Sequence, residues 1–250
     1  MDKYTVITGA SSGIGYAAAK AFARRGKNLI LIARRSEQLE QLRLEISEIS
    51  DVKVVIITAD LSVIENVYDV YSKLKPYFAE TWINNAGFGN YSSVAEQDLK
   101  KIEDIIKVNI TALTIFSSLY VRDYCNTPDA QLINISSAGG YTIVPNAVTY
   151  CAAKFYVSAF TEGLARELSA SHLPLKAKVL APAATKTEFG KTASNAQSYD
   201  YNSHFQTYHT AKQMADFLMR LYDSDDVVGK VDRNTFEFEM SDGLLPYAGK

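Results

Sequence analysis

Short apolar, β-branched runs alternate along the chain with longer segments in which apolar residues recur at helical spacing. The short runs predict seven strands, at residues 4–8, 28–33, 52–59, 82–84, 131–136, 177–181 and 236–240. The longer segments predict helices at residues 13–25, 36–49, 100–124 and 150–169, with another opening at the capping-box pattern Ser62-Val63-Ile64-Glu65. Several strands are apolar throughout, which indicates burial on both faces of a parallel sheet.

The strict alternation of strands and helices predicts one fold class. Parallel strands joined by helices require right-handed crossovers, and repetition of that unit gives a doubly wound α/β sheet. No Pro- or Ser-rich linker and no internal repeat divides the chain. We therefore predict a single Rossmann-like domain over residues 1–250, with a mostly parallel sheet of about seven strands.

Residues 186–209 break this alternation. They are rich in Ser, Asn, Thr and Tyr, and they follow the strand at 177–181. Ligand sites in open α/β sheets form at the carboxyl ends of the strands, so a long segment at this position would overhang a site. Long loops in compact domains are usually functional or disordered. We predict a substrate lid, with a mobile surface loop as the alternative.

Composition narrows the classes of function. The 250 residues carry a net charge of −2, which gives no overall field for nucleic acids or anionic membranes. No apolar run reaches the length that spans a bilayer, and no apolar leader precedes the first strand. The two cysteines, Cys125 and Cys151, make no disulfide framework and suit a reducing compartment. The sequence thus predicts a cytoplasmic protein that binds neither nucleic acid nor membrane.

A glycine-rich turn joins the first strand to the first helix. It reads Thr8-Gly9-Ala10-Ser11-Ser12-Gly13-Ile14-Gly15. Glycines in this context permit a tight turn, let a pyrophosphate approach the backbone and allow a helix to pack closely on a strand. The free N–H groups at the start of the helix then face the anion. The turn predicts a dinucleotide cofactor.

The end of the second strand bears on which dinucleotide binds. An acidic residue there would mark NAD, because it accepts hydrogen bonds from the ribose hydroxyls. This chain has Ala33-Arg34-Arg35 instead, and an arginine can pair bidentately with the 2′-phosphate of NADP. We therefore expect NADP(H) to be preferred and NAD(H) to be the second choice. Two solvated charges at a strand end are the alternative interpretation.

A tyrosine and a lysine predict proton-transfer chemistry. Tyr150 and Lys154 lie four residues apart on a predicted helix and so share a face. A cation beside a phenol lowers the pKa of the phenol towards the working pH. Ser137, thirteen residues before Tyr150, ends the fifth strand and could hydrogen-bond a substrate carbonyl. Asn84-Asn85-Ala86-Gly87 ends the fourth strand, and Asn109 lies inside a predicted helix, where an amide is a poor helix former.

These motifs, in this order, resemble the short-chain dehydrogenase/reductase family in its compact form. The resemblance runs from Tyr4 to about Glu188. It implies NAD(P)-dependent oxidation of an alcohol or reduction of a carbonyl, and reduction is the expected direction with NADP(H). It further implies that Tyr150 protonates the carbonyl oxygen while Ser137 holds it. Lys154 would lower the pKa of Tyr150 and bind the ribose hydroxyls, and Asn109 would support a water chain that returns the proton.

The expected contacts form two sets. The cofactor contacts that the resemblance implies are Gly9, Ser11, Ser12, Gly13, Ile14, Gly15, Arg34, Arg35, Asp60, Leu61, Asn85, Ala86, Gly87, Tyr150, Lys154, Pro182, Thr185 and Thr187. The candidate substrate contacts are Tyr91, Tyr141, Val144, Tyr199 and Phe205. The rings of the second set suit an apolar or aromatic substrate, although they could equally pack the lid against the body. Relatives often associate through the two long helices, which implies a homodimer or homotetramer.

One position departs from the family pattern. Ala183 follows Pro182 where the family often has glycine, so the backbone there must avoid positive φ or accept strain. The departure concerns the nicotinamide end of the cofactor site and leaves the phosphate end untouched.

Three other classes of function compete with a reductase. A cofactor-binding redox sensor would keep the glycine turn but tolerate loss of Tyr150 or Lys154, and both are present. A serine hydrolase of the elbow type needs Gly-x-Ser-x-Gly, which does not occur. His204 and His209 are five residues apart, off the spacing of a helical zinc pair, so we predict no metal site. The prediction is a reductase of small-molecule carbonyl compounds, with the redox sensor as the alternative.

Overall fold

The fold was determined as a computed structural model, which describes residues 2–248. The strands in that range are β1 (Lys3–Thr8), β2 (Asn28–Ala33), β3 (Val54–Thr58), β4 (Phe78–Asn84), β5 (Gln131–Ile135), β6 (Lys176–Ala181), β7 (Thr185–Lys186), β8 (His209–Thr210), β9 (Val228–Val231) and β10 (Phe238–Ser241). The α-helices are α1 (Gly13–Arg24), α2 (Ser36–Ser47), α3 (Ile64–Lys73), α4 (Leu99–Ile106), α5 (Leu113–Tyr124), α6 (Val148–Ala170), α7 (Phe189–Ala193), α8 (Tyr201–His204) and α9 (Ala211–Asp223).

The central sheet has eight strands in the order β10-β9-β6-β5-β4-β1-β2-β3. Its neighbours run parallel except β9 and β10, which form an antiparallel hairpin. The predicted doubly wound, mostly parallel sheet is confirmed, with eight strands where about seven were expected. The additional strand is β9, whose sequence Val-Gly-Lys-Val is too short and too polar at its centre to give a strand pattern.

Alternate residues of each inner strand face opposite helical layers, as the two-residue period of a strand requires. Leu29 and Leu31 of β2 pack into the layer that holds α1, α2 and α9. Ile30 and Ile32 pack into the layer that holds α3 and α5. This burial on both faces is why the predicted strands are apolar throughout.

A π-helical turn, Lys107–Ala112, joins α4 and α5 into one continuous helix from Leu99 to Tyr124. By length and apolar composition this helix could cross a membrane, whereas no run of that length was expected from the sequence. Its most apolar stretch is 44% buried within the fold. A core helix passes the same test, so its length alone assigns it no place in a membrane.

The predicted capping box at Ser62 is absent from the start of α3. Val63 occupies the capping position and makes no side-chain cap. The backbone N–H and the hydroxyl of Ser62 instead donate to Oδ1 of Asp60, at 2.9 and 2.8 Å. The carboxylate that follows β3 therefore organises this turn, and the capping-box prediction was wrong.

The segment of residues 186–209 is more ordered than the loop its composition suggests. Parallel pairing of β7 with β8 joins its two ends, with Thr185 opposite His209. Between the ends lie the short helices α7 and α8. The buried ring of Tyr201 lies 5.0 Å from that of Tyr199 and 5.8 Å from that of Phe205, centroid to centroid. These rings therefore pack the segment upon itself.

α6 approaches the carboxyl end of β5 at backbone contact distance. The hydroxyl of Ser136 donates to the carbonyl oxygen of Lys154 at 2.9 Å and lies 2.7 Å from the hydroxyl of Ser158. A Cβ on Gly140 would lie only 2.6 Å from both the Lys154 carbonyl oxygen and the Ser158 hydroxyl. Only glycine fits there without moving α6 away from the strand end.

We expect Gly140→Ala to lower the free energy of unfolding by about 1–3 kcal/mol, because the added methyl group overpacks this junction. Gly163→Ala is the matched control, since Gly163 lies in α6 and a Cβ there would meet nothing within 4 Å. That variant should be neutral or more stable by up to about 1 kcal/mol. Chemical denaturation measures both, and equal stabilities of the two variants would contradict the close contact.

Candidate active site

A cavity of about 900 Å³ opens at the carboxyl ends of the parallel strands. Its walls come from the turn after β1, the ends of β2 and β3, the loops after β4, β5 and β6, and the 186–209 segment. Parallel strands bring the segments that follow them to one edge of the sheet, which is where open α/β sheets bind ligands. The cavity therefore lies where the sequence predicts a site.

The glycine-rich turn forms one end of this cavity. Gly9 and Gly13 have φ values of +67° and +59°, which favour glycine. A Cβ on Gly9 would also lie 2.8 Å from Cα of Ala86, so the turn passes directly against the loop after β4. The hydroxyl of Ser12 does not cap α1, and the first turn of this helix carries no acidic residue. Its backbone N–H groups are thus available to an anion, as a dinucleotide phosphate requires.

Thr8 and Asn85 join the turn after β1 to the loop after β4. The hydroxyl of Thr8 accepts from the backbone N–H groups of Asn85 and Ala86, each at 3.0 Å. The side-chain amide of Asn85 donates to the carbonyl oxygens of Thr8 and Gly9, at 2.9 and 3.1 Å. The Asn85 side chain therefore bridges two loops that both line the cavity.

Tyr150, Lys154 and Ser137, which the sequence analysis grouped by their spacing, all line this cavity. The ammonium of Lys154 donates to the carbonyl oxygen of Ile135 at 2.8 Å and lies 5.8 Å from the centre of the Tyr150 ring. The hydroxyl of Ser137 accepts from the N–H of Gly139 at 3.0 Å and lies beside the Tyr150 phenol. A phenol, an ammonium and a hydroxyl thus lie close together at the cavity wall.

Burial dominates the electrostatics of this centre. Desolvation raises the pKa of Tyr150 above its ordinary value, and the hydrogen bond with Ser137 opposes the rise. Desolvation also lowers the pKa of Lys154 to about 8. Lys154 is not among the groups that shift the pKa of Tyr150, so the predicted lowering is not seen, and burial leaves the phenol protonated at neutral pH.

Asn109 lies behind the cavity wall. It sits in the π-helical turn, fully buried. Its amide nitrogen donates to the carbonyl oxygen of Phe88 at 2.9 Å, and its amide oxygen accepts from the N–H of the same residue at 3.1 Å. Since both ends of the amide bind the backbone, the side chain fixes the loop after β4. The water-chain role that the resemblance implies for Asn109 stays a prediction.

A chain of buried amides supports the strand ends beneath the site, and the sequence analysis assigned it no role. The indole N–H of Trp82 donates to Oδ1 of Asn84 at 2.8 Å. Nδ2 of Asn84 donates to Oδ1 of Asn134 at 2.9 Å, and Nδ2 of Asn134 donates to the hydroxyl of Thr161 at 2.9 Å. Buried polar groups are costly unless paired, so this chain ties β4 and β5 to α6. The signal in the sequence is an asparagine next to isoleucine near the carboxyl end of each strand.

Both arginines after β2 line the cavity, each opposite a carboxylate. The guanidinium of Arg34 lies 3.9 Å from Asp60 and is largely exposed. Arg35 donates to the hydroxyl of Ser11 at 3.2 Å and pairs with Glu188 at 2.9 Å. Glu188 precedes α7, so this ion pair connects the 186–209 segment to the phosphate end of the cavity.

All but one of the residues predicted to bind the cofactor line the cavity. Gly15 is the exception, because it packs against the Gly9 backbone and the Asn85 side chain. Of the predicted substrate contacts, Tyr91, Val144, Tyr199 and Phe205 also line it. Tyr141 does not: its hydroxyl donates to the carboxylate of Glu162 at 2.6 Å, outside the cavity wall.

The cavity wall also holds residues of the 186–209 segment, which was predicted to cover the site, and residues of a turn that was not predicted to reach it. Phe189 lies next to Tyr150, with ring centroids 5.2 Å apart. Further lining residues are Tyr201, His204, Gln206, Thr207, Arg233, Asn234 and Phe236. The last three belong to the turn between β9 and β10, far along the chain from any motif. No local pattern marks them, since only the hairpin's position beside β6 brings them to the cavity.

Comparisons with known proteins agree with this geometry. A model of the family described as short chain dehydrogenase matches residues 3–198. Dehydrogenase/reductase SDR family member 11 of Homo sapiens is 31% identical over 198 residues, covering 75% of each chain. A short-chain dehydrogenase from Sphingobium yanoikuyae, solved in complex with NADPH, superposes with a TM-score of 0.82 at 29% identity, covering 91% of this chain and 87% of that one. The bulky-bulky ketone specific alcohol dehydrogenase from Comamonas testosteroni gives 0.78 at 26% identity, covering 91% and 85%.

The fold and site thus define a nicotinamide-dependent oxidoreductase that acts on alcohol or carbonyl groups. The chain belongs to the short-chain dehydrogenase family.

We expect Thr8→Val to destabilise the protein by about 2–4 kcal/mol and to weaken cofactor binding. The substitution leaves the N–H groups of Asn85 and Ala86 without their acceptor, and each buried unsatisfied group costs about 1–3 kcal/mol. Thr8→Ser keeps the hydroxyl and should lose less than about 1 kcal/mol. Thermal unfolding and fluorescence titration with NADPH measure the two effects, and equal behaviour of the two variants would show that the hydroxyl does not hold the loops.

Proposed function

We propose that the protein reduces a ketone or aldehyde to an alcohol with NADP(H). The observation that carries the proposal is the meeting of Tyr150, Lys154 and Ser137 in one cavity with a phosphate cradle at its other end. The substrate would be a small molecule that enters beneath the 186–209 segment, which serves as a lid.

The cofactor site fits a dinucleotide. The glycine turn offers uncapped N–H groups to the phosphates, and the close approach of Gly9 to Ala86 leaves the cavity open on the other side of the turn. When bound, the cofactor supplies the hydride for the carbonyl carbon. Arg34 is the residue best suited to the 2′-phosphate of NADP, since it is exposed at the cavity wall and only loosely paired, at 3.9 Å from Asp60.

Tyr150 acts as the general acid that protonates the carbonyl oxygen. Burial keeps the phenol protonated at neutral pH, which suits a proton donor and therefore the direction of reduction. Ser137 lies beside the phenol and can donate a hydrogen bond to the same oxygen as negative charge develops on it. The Comamonas relative, whose name describes it as ketone-specific, supports this direction.

Lys154 has two tasks in this proposal. One of its three N–H groups is held by the carbonyl oxygen of Ile135, and the others can bind the ribose hydroxyls of the cofactor. Its positive charge also stabilises a phenolate on Tyr150 after the proton has left. Asn109 contributes as a positioning residue, because it holds the backbone of Phe88 beside the cavity.

Further expectations belong to the same proposal. The free thiols of Cys125 and Cys151 support a cytoplasmic location. Val148 and Tyr156 of α6 and Ile106 of α4 are exposed apolar residues on the two long helices. They support assembly into a homodimer or homotetramer through these helices.

We expect Tyr150→Phe to lower kcat for a ketone by about 10²- to 10⁴-fold, because it removes the proton donor without changing the shape of the cavity. The stabilisation of the variant by NADPH in thermal unfolding should persist. Tyr141→Phe is the matched control, since its hydroxyl binds Glu162 outside the cavity. It should keep its turnover, whereas retained turnover in Tyr150→Phe would contradict the mechanism.

We expect Arg34→Ser to lower kcat/KM for NADPH by about 10- to 100-fold, which corresponds to the loss of one or two charge-assisted hydrogen bonds. The value for NADH should change less than about 3-fold, because NADH lacks the 2′-phosphate. Arg35→Ser should have the smaller effect on NADPH, since Arg35 is already held by Ser11 and Glu188. A wild-type enzyme that turns over faster with NADH would argue against the preference for NADP(H).

A further inference from the structure

One arginine of the cavity wall belongs to the turn after β9, and β9 is further from β1 in the sheet than any other strand whose following segment lines the cavity. Arg233 lies in the turn between β9 and β10 and lines the cavity. The turn is held by its own backbone, because Oδ1 of Asp232 accepts from the N–H groups of Asn234 and Thr235 at 2.7 and 3.0 Å. The N–H of Phe236 also donates to the carbonyl oxygen of Asp232 at 3.0 Å. The neighbouring carboxylate is thus engaged in building the turn.

The side chain of Arg233 is exposed and has no ion-pair partner among the described residues. None of the ion pairs within residues 2–248 includes Arg233. The acidic residues of the described cavity wall are Asp60 and Glu188, and both face the arginines at the cofactor end. A guanidinium stays charged at any physiological pH. The substrate end therefore carries a fixed positive charge.

Aromatic rings line the same cavity as this charge. The ring of Phe189 lies 5.2 Å from that of Tyr150 and 6.3 Å from that of Tyr91. Burial raises the pKa of the Tyr91 phenol, and the nearby charge of Arg233 opposes that rise. The rings of Phe189 and Tyr91 thus supply apolar surface in the cavity that also holds the proton donor and the guanidinium. A substrate that spans them needs an apolar spacer between its carbonyl and its far end.

The family match does not account for this charge. It covers residues 3–198, whereas Arg233 lies in the hairpin beyond it. Residues of this hairpin reach the cavity because β9 pairs with β6, whose carboxyl end carries Pro182 and Thr185 at the cofactor site.

We propose that Arg233 binds an anionic oxygen group of the substrate, so that the preferred substrates are carbonyl compounds carrying a carboxylate or a phosphate-like group beyond an apolar spacer. This inference rests on the proposed carbonyl reduction. It assigns the substrate class that the cavity selects.

Three aryl ketones test the assignment with NADPH: 4-oxo-4-phenylbutanoate, its methyl ester, and 3-oxo-3-phenylpropylphosphonate. The wild type should reduce both anions with a kcat/KM about 10-fold or more above that of the ester. Arg233→Gln should lower kcat/KM for both anions by about 10- to 100-fold, mainly through KM, and change that of the ester less than about 3-fold. The two anions distinguish a carboxylate substrate from a phosphate-like one.

Lys230→Gln is the matched control, since it removes a positive charge from the same hairpin at a residue outside the cavity wall. Its kinetics should stay within about 2-fold of the wild type for all three ketones. A second readout needs no turnover. The ketone-free anion 4-phenylbutanoate should raise the Tm of the NADPH complex in the wild type and not in Arg233→Gln.

The outcomes separate this inference from the proposed function. If the ketone of the methyl ester is reduced as well as the ketones of the two anions, and 4-phenylbutanoate does not raise the Tm, the anion site is overturned. Carbonyl reduction then still stands. A Tm shift that Arg233→Gln abolishes, without reduction of any ketone, would support the anion site and contradict the proposed reaction. Equal losses for anions and ester in Arg233→Gln would show a structural role of the turn and overturn the inference.

Discussion

The contact between α6 and the carboxyl end of β5 determines the geometry of the site. The segment that follows β5 supplies Ser137, and α6 supplies Tyr150 and Lys154, so the distance between β5 and α6 sets the distance between these three side chains. Hydrogen bonds close the contact from both sides: Ser136 donates to the Lys154 carbonyl oxygen, and the Lys154 ammonium donates to the Ile135 carbonyl oxygen. Gly140 permits the approach because it has no Cβ to separate helix from strand.

Burial at this contact also determines the protonation states of Lys154 and Tyr150. Lys154 is almost fully buried and has one strong acceptor, which leaves its pKa near 8. The burial of Tyr150 favours the neutral phenol. The site therefore combines a protonated phenol with an ammonium 5.8 Å from the centre of its ring, an arrangement that suits the proposed donation of a proton. The buried amides of Asn84 and Asn134 keep the strand ends beneath it in register.

The sequence predicts those parts of the site that local motifs encode. The glycine turn, the arginines after β2 and the Tyr–Lys spacing each depend on residues close together in the chain, and the parallel sheet brings them to one edge. The pKa of Tyr150 could not be predicted in the same way, because it depends on burial by distant elements such as the Phe189 ring. The position of Tyr141 outside the cavity could not be predicted from local sequence either, because its hydroxyl donates to Glu162, in the middle of α6.

The C-terminal part of the fold was the least predictable, for a related reason. Lys178 interrupts a strand that is otherwise apolar, yet it is buried. Its ammonium donates to the carbonyl oxygens of Leu221, Tyr222 and Ser224, at 2.8, 3.2 and 2.6 Å, and so caps the end of α9. A lysine of this kind carries no local signal, because its partners lie more than forty residues away. β9, and with it Arg233 at the cavity, follows α9 and depends on the same long-range packing.

The central claim is that this centre transfers hydride to a carbonyl carbon and does not merely bind the cofactor. The most direct test is mass spectrometry of the product formed from a ketone and NADPH deuterated at both C4 positions. The account predicts an alcohol that gains one deuterium at the carbinol carbon, in an amount equal to the NADPH oxidised. Binding of the labelled cofactor without deuterated alcohol, across a broad panel of ketones and aldehydes, would contradict it and favour a redox sensor.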